Sequence, residues 1–183
     1  IAVVLSPEDD FFQTASNHKI SVLKCGGETR AETVRNGLAA LLQQGLAAPH
    51  DNILVHDAAR CCLPPEALSR LIQEAGGQAE GGILAVPVAD TLKRADAAQH
   101  IGATVARAGL WQAQTPQLFQ AALLQRALDV GDLSAITDEA SAVEALGAQP
   151  LLVQGDSRNL KLTLPQDEYI VRLLLADKSH APV

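Results

Sequence analysis

The sequence has few of the residues on which several common functions depend. Aromatic side chains make up only 3% of its 183 residues, too few for the stacking platforms that bind single-stranded nucleic acid. Lys and Arg number 14 against 21 Asp and Glu, which gives a formal net charge of -7, and they form no cationic run. This distribution disfavours a duplex-binding surface. The sequence therefore predicts no nucleic-acid partner.

Signals for membranes and disulfides are also scarce. No apolar run approaches the ~20 residues of a membrane span, and no basic region with a following apolar stretch opens the chain. The three cysteines, Cys25, Cys61 and Cys62, lack zinc-site spacing, and their odd number is typical of free thiols in a reducing compartment. These features predict a soluble, cytoplasmic protein with no membrane partner. Because the chain lacks methionine and begins inside a predicted strand, we expect a fragment of a longer protein.

Hydrophobic residues, by contrast, make up 48% of the chain and are enough for a layered core. Short apolar runs alternate with stretches of helical period, the pattern of parallel strands joined by crossover helices. Predicted strands are Ala2–Leu5, Ile20–Leu23, Ile53–Val55, Ile83–Val88 and Leu151–Val153. Helical stripes follow at Val34–Leu41, Leu68–Ala75, Leu123–Leu128 and Tyr169–Leu175. We predict an α/β fold, a mostly parallel sheet flanked by helices, in a single domain over residues 1–183.

One polar segment interrupts this alternation. Residues 90–106 are polar and charged and contain two short extended pieces, Thr91–Leu92 and Ala103–Val105. A two-stranded ribbon is only marginally stable alone in water, so such an arm usually packs on another surface. A partner subunit is the natural candidate, and we expect a dimerisation arm here.

Ligands of parallel α/β sheets bind beyond the carboxyl ends of the strands, and Gly26–Arg30 is the first polar cluster in such a place. Gly27 would let the backbone approach a planar ligand, and Glu28 could accept a hydrogen bond from an exocyclic amino group of a base. The alternative is a simple strand-to-helix turn with Glu28 favoured by the helix dipole.

The second cluster, His56–Arg60, directly follows a predicted strand. An acid at a strand end, here Asp57, suits a metal-bound nucleotide, because Mg²⁺ takes one or two carboxylates plus phosphate oxygens. The alternatives are a surface pair between Asp57 and Arg60 or a helix cap. We interpret His56 as structural.

The third cluster lies past the arm. Arg107 could grip a phosphate with its planar guanidinium group, although an exposed arginine is more commonly just a solvated side chain. The pair Thr115–Pro116 predicts a helix start, with threonine as N-cap and proline at the first position.

The fourth cluster joins two separated segments. Thr137–Glu139 has the composition of a helix start capped by Thr137, and Lys161 lies in an apolar run, Leu160–Leu162, that predicts a buried strand. A lysine in a buried strand needs an anion beside it. Because no GxSxG, HExxH or Walker lysine loop is present, the dispersed acids, cations and threonines favour phosphoryl or nucleotidyl transfer over covalent catalysis.

In their order along the chain, six blocks resemble one family, the methylerythritol phosphate cytidylyltransferases of the non-mevalonate isoprenoid pathway. The blocks are GGETRAETVRNGL (26–38), VHDAARCCL (55–63), GGILAVPVADTLKR (81–94), TVARAGLWQAQTPQLF (104–119), ITDEASAVE (136–144) and NLKLTLPQD (159–167). The resemblance implies a Rossmann-like nucleotidyltransferase fold and a homodimer formed through the arm. It also implies transfer of a cytidylyl group from CTP to 2-C-methyl-D-erythritol 4-phosphate with Mg²⁺, releasing pyrophosphate.

The resemblance further implies a role for individual residues. Those implied to bind the nucleotide are Gly27, Glu28, Thr33, Asp57 and Ala58, with Asp57 also at the metal. Those implied to bind the second substrate are Arg60, Thr91, Thr115 and Thr137. Arg107 and Lys161 are implied as catalytic residues, and Arg107 would reach the substrate of the neighbouring subunit.

The sequence also departs from the family's pattern. Members open with a strand and a glycine-rich loop that wraps the triphosphate, and nothing in residues 1–24 matches it. We therefore expect that unit to be missing and CTP to bind poorly to the chain as it stands. Smaller departures are Glu28, where aspartate is common, and Cys61, where proline often follows the arginine.

Three other functions remain open at this stage. One is a cytidylyltransferase for another polyol phosphate, such as ribitol phosphate, and another is a non-catalytic dimerisation or regulatory module of the same fold. A dinucleotide-dependent oxidoreductase is weaker, because no GxGxxG follows any predicted strand.

Overall fold

The computed structural model describes residues 1–13 and 19–176, so the far ends of the predicted domain 1–183 lie partly outside it. The strands are β1 (Ala2–Val4), β2 (Ser21–Leu23), β3 (Asn52–Val55), β4 (Gly82–Pro87), β5 (Leu92–Ala95), β6 (Ile101–Val105), β7 (Trp111–Gln120) and β8 (Leu151–Gln154). The helices are α1 (Arg30–Gln43), α2 (Pro65–Ala75), α3 (Ala121–Leu128), α4 (Glu139–Glu144) and α5 (Asp167–Ala176).

The main sheet has four strands in the order β3-β7-β4-β8. Strands β3 and β4 both pair antiparallel with β7, and β4 pairs parallel with β8. Three of the four strands therefore run in one direction and β7 runs against them. Strands β1 and β2 form a separate parallel pair. The predicted α/β class is confirmed, and the five strands predicted for the sheet are present, whereas the strand predicted at Leu160–Leu162 is not among the strands described.

Helices cover both faces of the main sheet. On β4, Ile83 packs into a cluster with α1, α3 and α4, while the next residue, Leu84, packs into a second cluster with α2. Strand β7 repeats the alternation, because Leu118 joins the α2 cluster and Phe119 joins the other. Successive side chains of a strand point to opposite faces, so each of these strands serves two cores. This is the layered arrangement of an α/β domain.

Strand β7 corrects one prediction, the helix start at Thr115–Pro116. These residues lie inside a ten-residue strand that pairs with both β3 and β4. The β4 pairing shifts register, since Ile83 lies opposite Gln117 and Ala85 opposite Ala113. Proline lacks an amide hydrogen and is tolerated in a sheet at such an irregularity. Long-range pairing therefore overrides the local capping signal.

The helix starts near the predicted site have well-formed caps. Thr29 caps α1, and its hydroxyl accepts from the Glu32 amide while the Glu32 carboxylate accepts from the Thr29 amide, which is a capping box. At α4 the N-cap is Asp138, paired in the same way with Ser141. The prediction that Thr137 caps this helix is thus wrong by one residue. The Asp138 carboxylate accepts from the Ser141 amide at 2.9 Å and so supplies the cap one residue later.

The polar segment forms a ribbon of its own. Strands β5 and β6 pair antiparallel, and most of their residues are exposed. Asp96 organises the connection, because one of its oxygens accepts from the amides of Ala98 and His100. The arm predicted for residues 90–106 is therefore a two-stranded ribbon, and its role in dimerisation stays a prediction.

The thiols and helices add two plain observations. Cys25, Cys61 and Cys62 are all free; Cys61 is exposed and the other two are partly buried. None of the helices described is long and apolar enough to cross a membrane.

Substitution of Gly81 tests the close packing of β4 against β7. Gly81 has a positive φ of 70°, and a Cβ there would collide with the Leu118 carbonyl oxygen and the Phe119 ring. We expect Gly81→Ala to lower the free energy of unfolding by about 2–4 kcal/mol, from backbone strain and overpacking together. Gly45→Ala is the control, because Gly45 has φ 67° but open space around it, and it should cost about 1 kcal/mol. Equal losses in urea unfolding would contradict the packing argument.

Candidate active site

A polar cleft lies where the carboxyl end of β3, the irregular part of β7 and the first turns of α1 and α4 come together. Its volume is about 200 Å³. It is lined by Arg30, Asp57, Arg60, Ala113, Gln114, Thr115, Gln117, Thr137, Asp138 and Lys161. The structure thus brings together five of the residues that the sequence analysis singled out: Asp57, Arg60, Thr115, Thr137 and Lys161.

Asp57 carries one cation on each carboxylate oxygen. Arg30 Nε donates to Oδ1 at 2.8 Å, and Lys161 Nζ lies 2.9 Å from Oδ2. Burial raises the pKa of Asp57, but the hydrogen bonds and charges of Lys161 and Arg30 outweigh it and hold the pKa below its ordinary value. The carboxylate is therefore ionised at neutral pH and fixes the position of both cations.

Arg30 also pairs with Glu139 at the start of α4. Arg30 Nη1 and Nη2 donate to the two carboxylate oxygens at 2.6 and 2.9 Å, which is the bidentate geometry of a strong arginine pair. Glu139 is only 1% exposed. Burial lowers the pKa of Arg30, but Glu139 and Asp57 raise it above its ordinary value. One guanidinium group therefore links α1, β3 and α4.

No role for Arg30 or Glu139 is evident from the sequence. Both occupy the first position of a helix, where an acid is favoured by the dipole and an arginine is unremarkable. The two residues are 109 positions apart, and no local pattern connects them. Their pairing is a product of the tertiary structure alone.

Thr115 fixes the backbone beneath Asp57. Its hydroxyl accepts from the Asp57 amide at 3.0 Å and lies 3.0 Å from His56 Nδ1. His56 Nε2 lies 2.9 Å from the Arg60 carbonyl oxygen. A carbonyl only accepts, so Nε2 holds the proton and Nδ1 accepts from Thr115, as in a neutral imidazole. Loss of hydration lowers the pKa of His56 and favours the same neutral form, which agrees with its structural interpretation.

Arg60 binds the backbone of two other segments and forms no salt bridge with Asp57, which pairs with Arg30 and Lys161 instead. It donates to the carbonyl oxygens of Asn159 at 2.7 Å and Ala113 at 3.4 Å. The alternative of an Asp57–Arg60 surface pair is therefore wrong. Asn159 is fully buried, and its amide group donates to the Thr115 carbonyl oxygen at 2.8 Å. These bonds hold the segment that precedes Lys161 against β7.

Three buried amides also support the site, and no pattern in the sequence marks them. Gln114, Gln117 and Asn159 are all buried, but the stretches around them, 112–117 and 156–161, are largely polar. Gln117 donates to Asp138 at 2.8 Å and accepts from the Ala140 amide at 2.8 Å, so it anchors the start of α4 to β7. A buried amide must find such partners, and its presence in a strand marks a contact with another segment.

Lys161 corrects a second prediction. The described structure has no strand at Leu160–Leu162, and the Lys161 side chain is 42% exposed. The expected anion is present as Asp57, but Lys161 does not pair with it because of burial in a strand. The lysine reaches the carboxylate from an irregular segment, and its partly exposed ammonium group remains accessible from the cleft.

The residues implied to read a base lie beside the cleft rather than in its lining. They surround the first turn of α1, where the Gly27 amide donates to Thr33 Oγ1 at 3.0 Å and Glu28 is exposed. Ala58 follows Asp57 and is exposed as well. Arg30 connects this turn to Asp57, so the two groups of residues are adjacent.

Thr91 and Arg107 are not among the residues that line the cleft. Thr91 is exposed just before β5, and Arg107 is exposed just after β6. Both belong to the base of the arm, where the Leu110 amide donates to the Arg107 carbonyl oxygen at 3.0 Å. The structure of one chain does not bring them to Asp57 or Lys161.

The fold and the cleft indicate the class of the protein. Two arginines and a lysine line a cleft at the carboxyl end of a strand in an α/β sheet, which suits the binding of phosphate groups. These features suit an enzyme that acts on phosphorylated substrates, as nucleotidyltransferases do. A family model described as 2-C-methyl-D-erythritol 4-phosphate cytidylyltransferase matches residues 1–177. The chain belongs to this family.

Individual relatives agree with the family match. The cytidylyltransferase of that name from Neisseria gonorrhoeae (strain NCCP11945) is 72% identical over 176 residues, covering 94% of this chain and 76% of the relative. A crystal structure of 4-diphosphocytidyl-2C-methyl-D-erythritol synthase superposes with a TM-score of 0.86 at 68% identity, covering 95% of this chain and 81% of that one. The crystal structure of the 2-C-methyl-D-erythritol 4-phosphate cytidylyltransferase of Francisella tularensis superposes with a TM-score of 0.81 at 31% identity. The match covers 94% of this chain and 79% of that one.

Replacement of Thr115 tests the hydrogen bonds that hold Asp57. Thr115→Val keeps the shape but leaves the partly buried Asp57 amide and His56 Nδ1 without their partner, so we expect a loss of about 2 kcal/mol in the free energy of unfolding. Thr115→Ser keeps the hydroxyl and should lose about 1 kcal/mol or less. Urea unfolding of both variants measures the difference. A serine variant as unstable as the valine variant would show that the hydroxyl contributes nothing.

Proposed function

We propose that this chain transfers the cytidylyl group of CTP to 2-C-methyl-D-erythritol 4-phosphate. The products are 4-diphosphocytidyl-2-C-methyl-D-erythritol and pyrophosphate, in the formation of isoprenoid precursors. Membership of the cytidylyltransferase family supports this activity. The observation that carries it is the ordered contact of Lys161 with ionised Asp57 in a cleft that also holds Arg30 and Arg60.

The reaction is an in-line displacement at phosphorus. An oxygen of the methylerythritol phosphate attacks the α-phosphorus of CTP, a new P–O bond forms, and the bond to the β-phosphate bridging oxygen breaks. Pyrophosphate leaves with the electron pair. The attacking phosphate is already ionised at neutral pH, so no protein nucleophile is required. Catalysis then depends on orientation and on cations placed around the developing charge.

The residues divide between the two substrates. Gly27, Glu28 and Thr33 contact the cytosine at the start of α1, with Asp57 and Ala58 beside the ribose. Lys161, aimed by Asp57 at 2.9 Å, binds phosphate oxygens and acts as a catalytic residue. Arg60, Thr115 and Thr137 line the side that receives the sugar phosphate.

Asp57 is the residue in the cleft that fits a divalent cation carried by the nucleotide. A carboxylate has about four lone-pair sites, and Asp57 uses one on each oxygen for Arg30 and Lys161. Among the residues described, no three His, Cys, Asp or Glu form a metal cluster. Mg²⁺ takes one or two carboxylates and fills its shell with phosphate oxygens and water, so the single carboxylate of Asp57 would be enough to hold it beside a nucleotide. Bound there, Mg²⁺ would neutralise charge on the triphosphate.

We further propose a cytoplasmic homodimer in which the arm completes the partner's site. Arg107 and Thr91 are exposed at the base of the arm and do not line the cleft of their own protomer. A two-fold axis between two arms would bring both residues to the neighbouring cleft, since each surface is used twice in such a dimer. Three free thiols are consistent with a reducing compartment.

A substrate panel tests the reaction. Pyrophosphate release is measured with CTP and methylerythritol phosphate, with ribitol phosphate in its place, and with no acceptor. We expect release with methylerythritol phosphate and Mg²⁺, and its loss on chelation. Before the assay, the intact mass of the protein is compared with the 19.2 kDa of residues 1–183, because a protein of that mass would lack the glycine-rich loop and is expected to bind CTP poorly. Faster release with ribitol phosphate would favour another polyol phosphate, and no release with any acceptor would favour a non-catalytic module.

Mixed dimers test whether Arg107 acts across the subunit interface. Arg107→Ala and Lys161→Ala should each lower kcat about 10²-fold or more, because each removes a cation from the developing charge. Refolding the two variants together in equal amounts should restore about a quarter of wild-type activity, because half the dimers then contain one native site of two. The control mixes two differently tagged Lys161→Ala chains and should recover nothing. No recovery of activity in the first mixture would show that Arg107 does not act in the cleft of the partner subunit.

A further inference from the structure

The Arg30–Glu139 ion pair adjoins the cleft, and the proposed reaction does not use it. Arg30 engages Glu139 with both terminal nitrogens and Asp57 with Nε. Every donor nitrogen of this guanidinium group therefore has an acceptor within the protein. A guanidinium group has five N–H donors, so one N–H on each of Nη1 and Nη2 remains, while the two carboxylates fix the orientation of Arg30 in the cleft that it lines.

Stability alone does not account for such a pair. Two charges that are withdrawn from water gain little over a well-packed apolar pair of the same size, and Glu139 is almost completely buried. The arrangement has a geometric consequence instead. The planar guanidinium fork sets the distance between the first turn of α4, the first turn of α1 and the carboxylate at the end of β3.

A series of contacts leads from Glu139 to the ammonium group of Lys161. Glu139 orients Arg30, Arg30 holds Asp57 Oδ1, and Asp57 Oδ2 holds the ammonium group of Lys161. Backbone contacts on either side hold the Lys161 segment, through Asn159 and through the Leu162 amide, which donates to the Ala59 carbonyl oxygen at 2.9 Å. The ion pair with Asp57 is the contact that places the Lys161 ammonium group itself. Loss of Arg30 would leave Asp57 free to rotate and would release Lys161 toward solvent.

We propose that Arg30, locked by Glu139, is a positioning residue that acts through Asp57 to hold the Lys161 ammonium group in line with the transferred phosphorus. This inference rests on the proposed cytidylyl transfer. Arg30 has a second effect, because the same side chain joins the turn proposed to face the base to the helix that begins next to Thr137. The cytidine half and the sugar-phosphate half of the cleft are then fixed relative to one another by a single residue.

The first test uses a charge-conserving substitution. Arg30→Lys keeps the positive charge, but one ammonium group does not span both carboxylates in the way the fork does. We expect kcat to fall about 10²-fold, the size of effect that a misplacement of about 1 Å produces, while KM for either substrate changes less than about threefold. Arg35→Lys, the same change further along α1 and outside the cleft lining, should leave kcat unchanged.

The second test asks whether Arg30 acts through Lys161. In a double-mutant cycle of Arg30→Lys with Lys161→Gln, the double variant should turn over about as slowly as Lys161→Gln alone, because Arg30 has nothing left to position. Glu139→Gln should reproduce the Arg30→Lys effect on kcat. Thermal unfolding of each variant establishes that the protein assayed is folded.

The outcomes separate the two proposals. Losses in kcat that multiply in the double variant, or an Arg30→Lys variant that is less stable but has wild-type kcat per folded molecule, would overturn the positioning role and leave the cytidylyl transfer intact. If the wild-type protein releases no pyrophosphate with any polyol phosphate, the proposed function fails and the positioning role fails with it.

Discussion

The contact on which the site depends is the double ion pair of Asp57, with Arg30 on one oxygen and Lys161 on the other. A partly buried carboxylate is costly unless its charge is balanced, and here two cations from distant segments balance it. Because Arg30 in turn satisfies buried Glu139, the starts of α1 and α4, the end of β3 and the Lys161 segment converge on one cluster. Removal of any member leaves a charge without its partner.

The sheet supplies the rigid frame for this cluster. Strand β7 contributes Leu118 and Phe119 to the two cores on opposite faces, while its irregular stretch brings Gln114 and Thr115 to the cleft. The same strand therefore anchors the core at one end and the site at the other. Buried amides of Gln117 and Asn159 then tie α4 and the Lys161 segment to it. Precise placement of the cations follows from these ordinary packing and hydrogen-bond constraints.

The local charge of the cleft differs from that of the chain. The protein carries a formal charge of -7, yet Arg30, Arg60 and Lys161 all line one small cleft. A phosphorylated substrate responds to the nearby field, because salt screens more distant surface charges. This distribution suits a reaction in which both substrates are already anionic and the protein contributes orientation and neutralisation. The exposed arm then offers a route by which a second subunit could add a further cation.

The sequence by itself determined the α/β class, the five strands predicted for the sheet and the polar ribbon, because apolar periodicity is a local feature. It also marked Asp57 as an acid that follows a strand, whereas Arg60, Thr115 and Thr137 were implied to bind substrate only by the family resemblance. Strand β7 was not predicted, because the capping signal of Thr115–Pro116 is local whereas the pairing of β7 with β3 and β4 is long-range. Lys161 was placed in a strand for the same reason. The Arg30–Glu139 pair spans 109 positions, so only the tertiary structure decided it, through the need of a buried carboxylate for a cation.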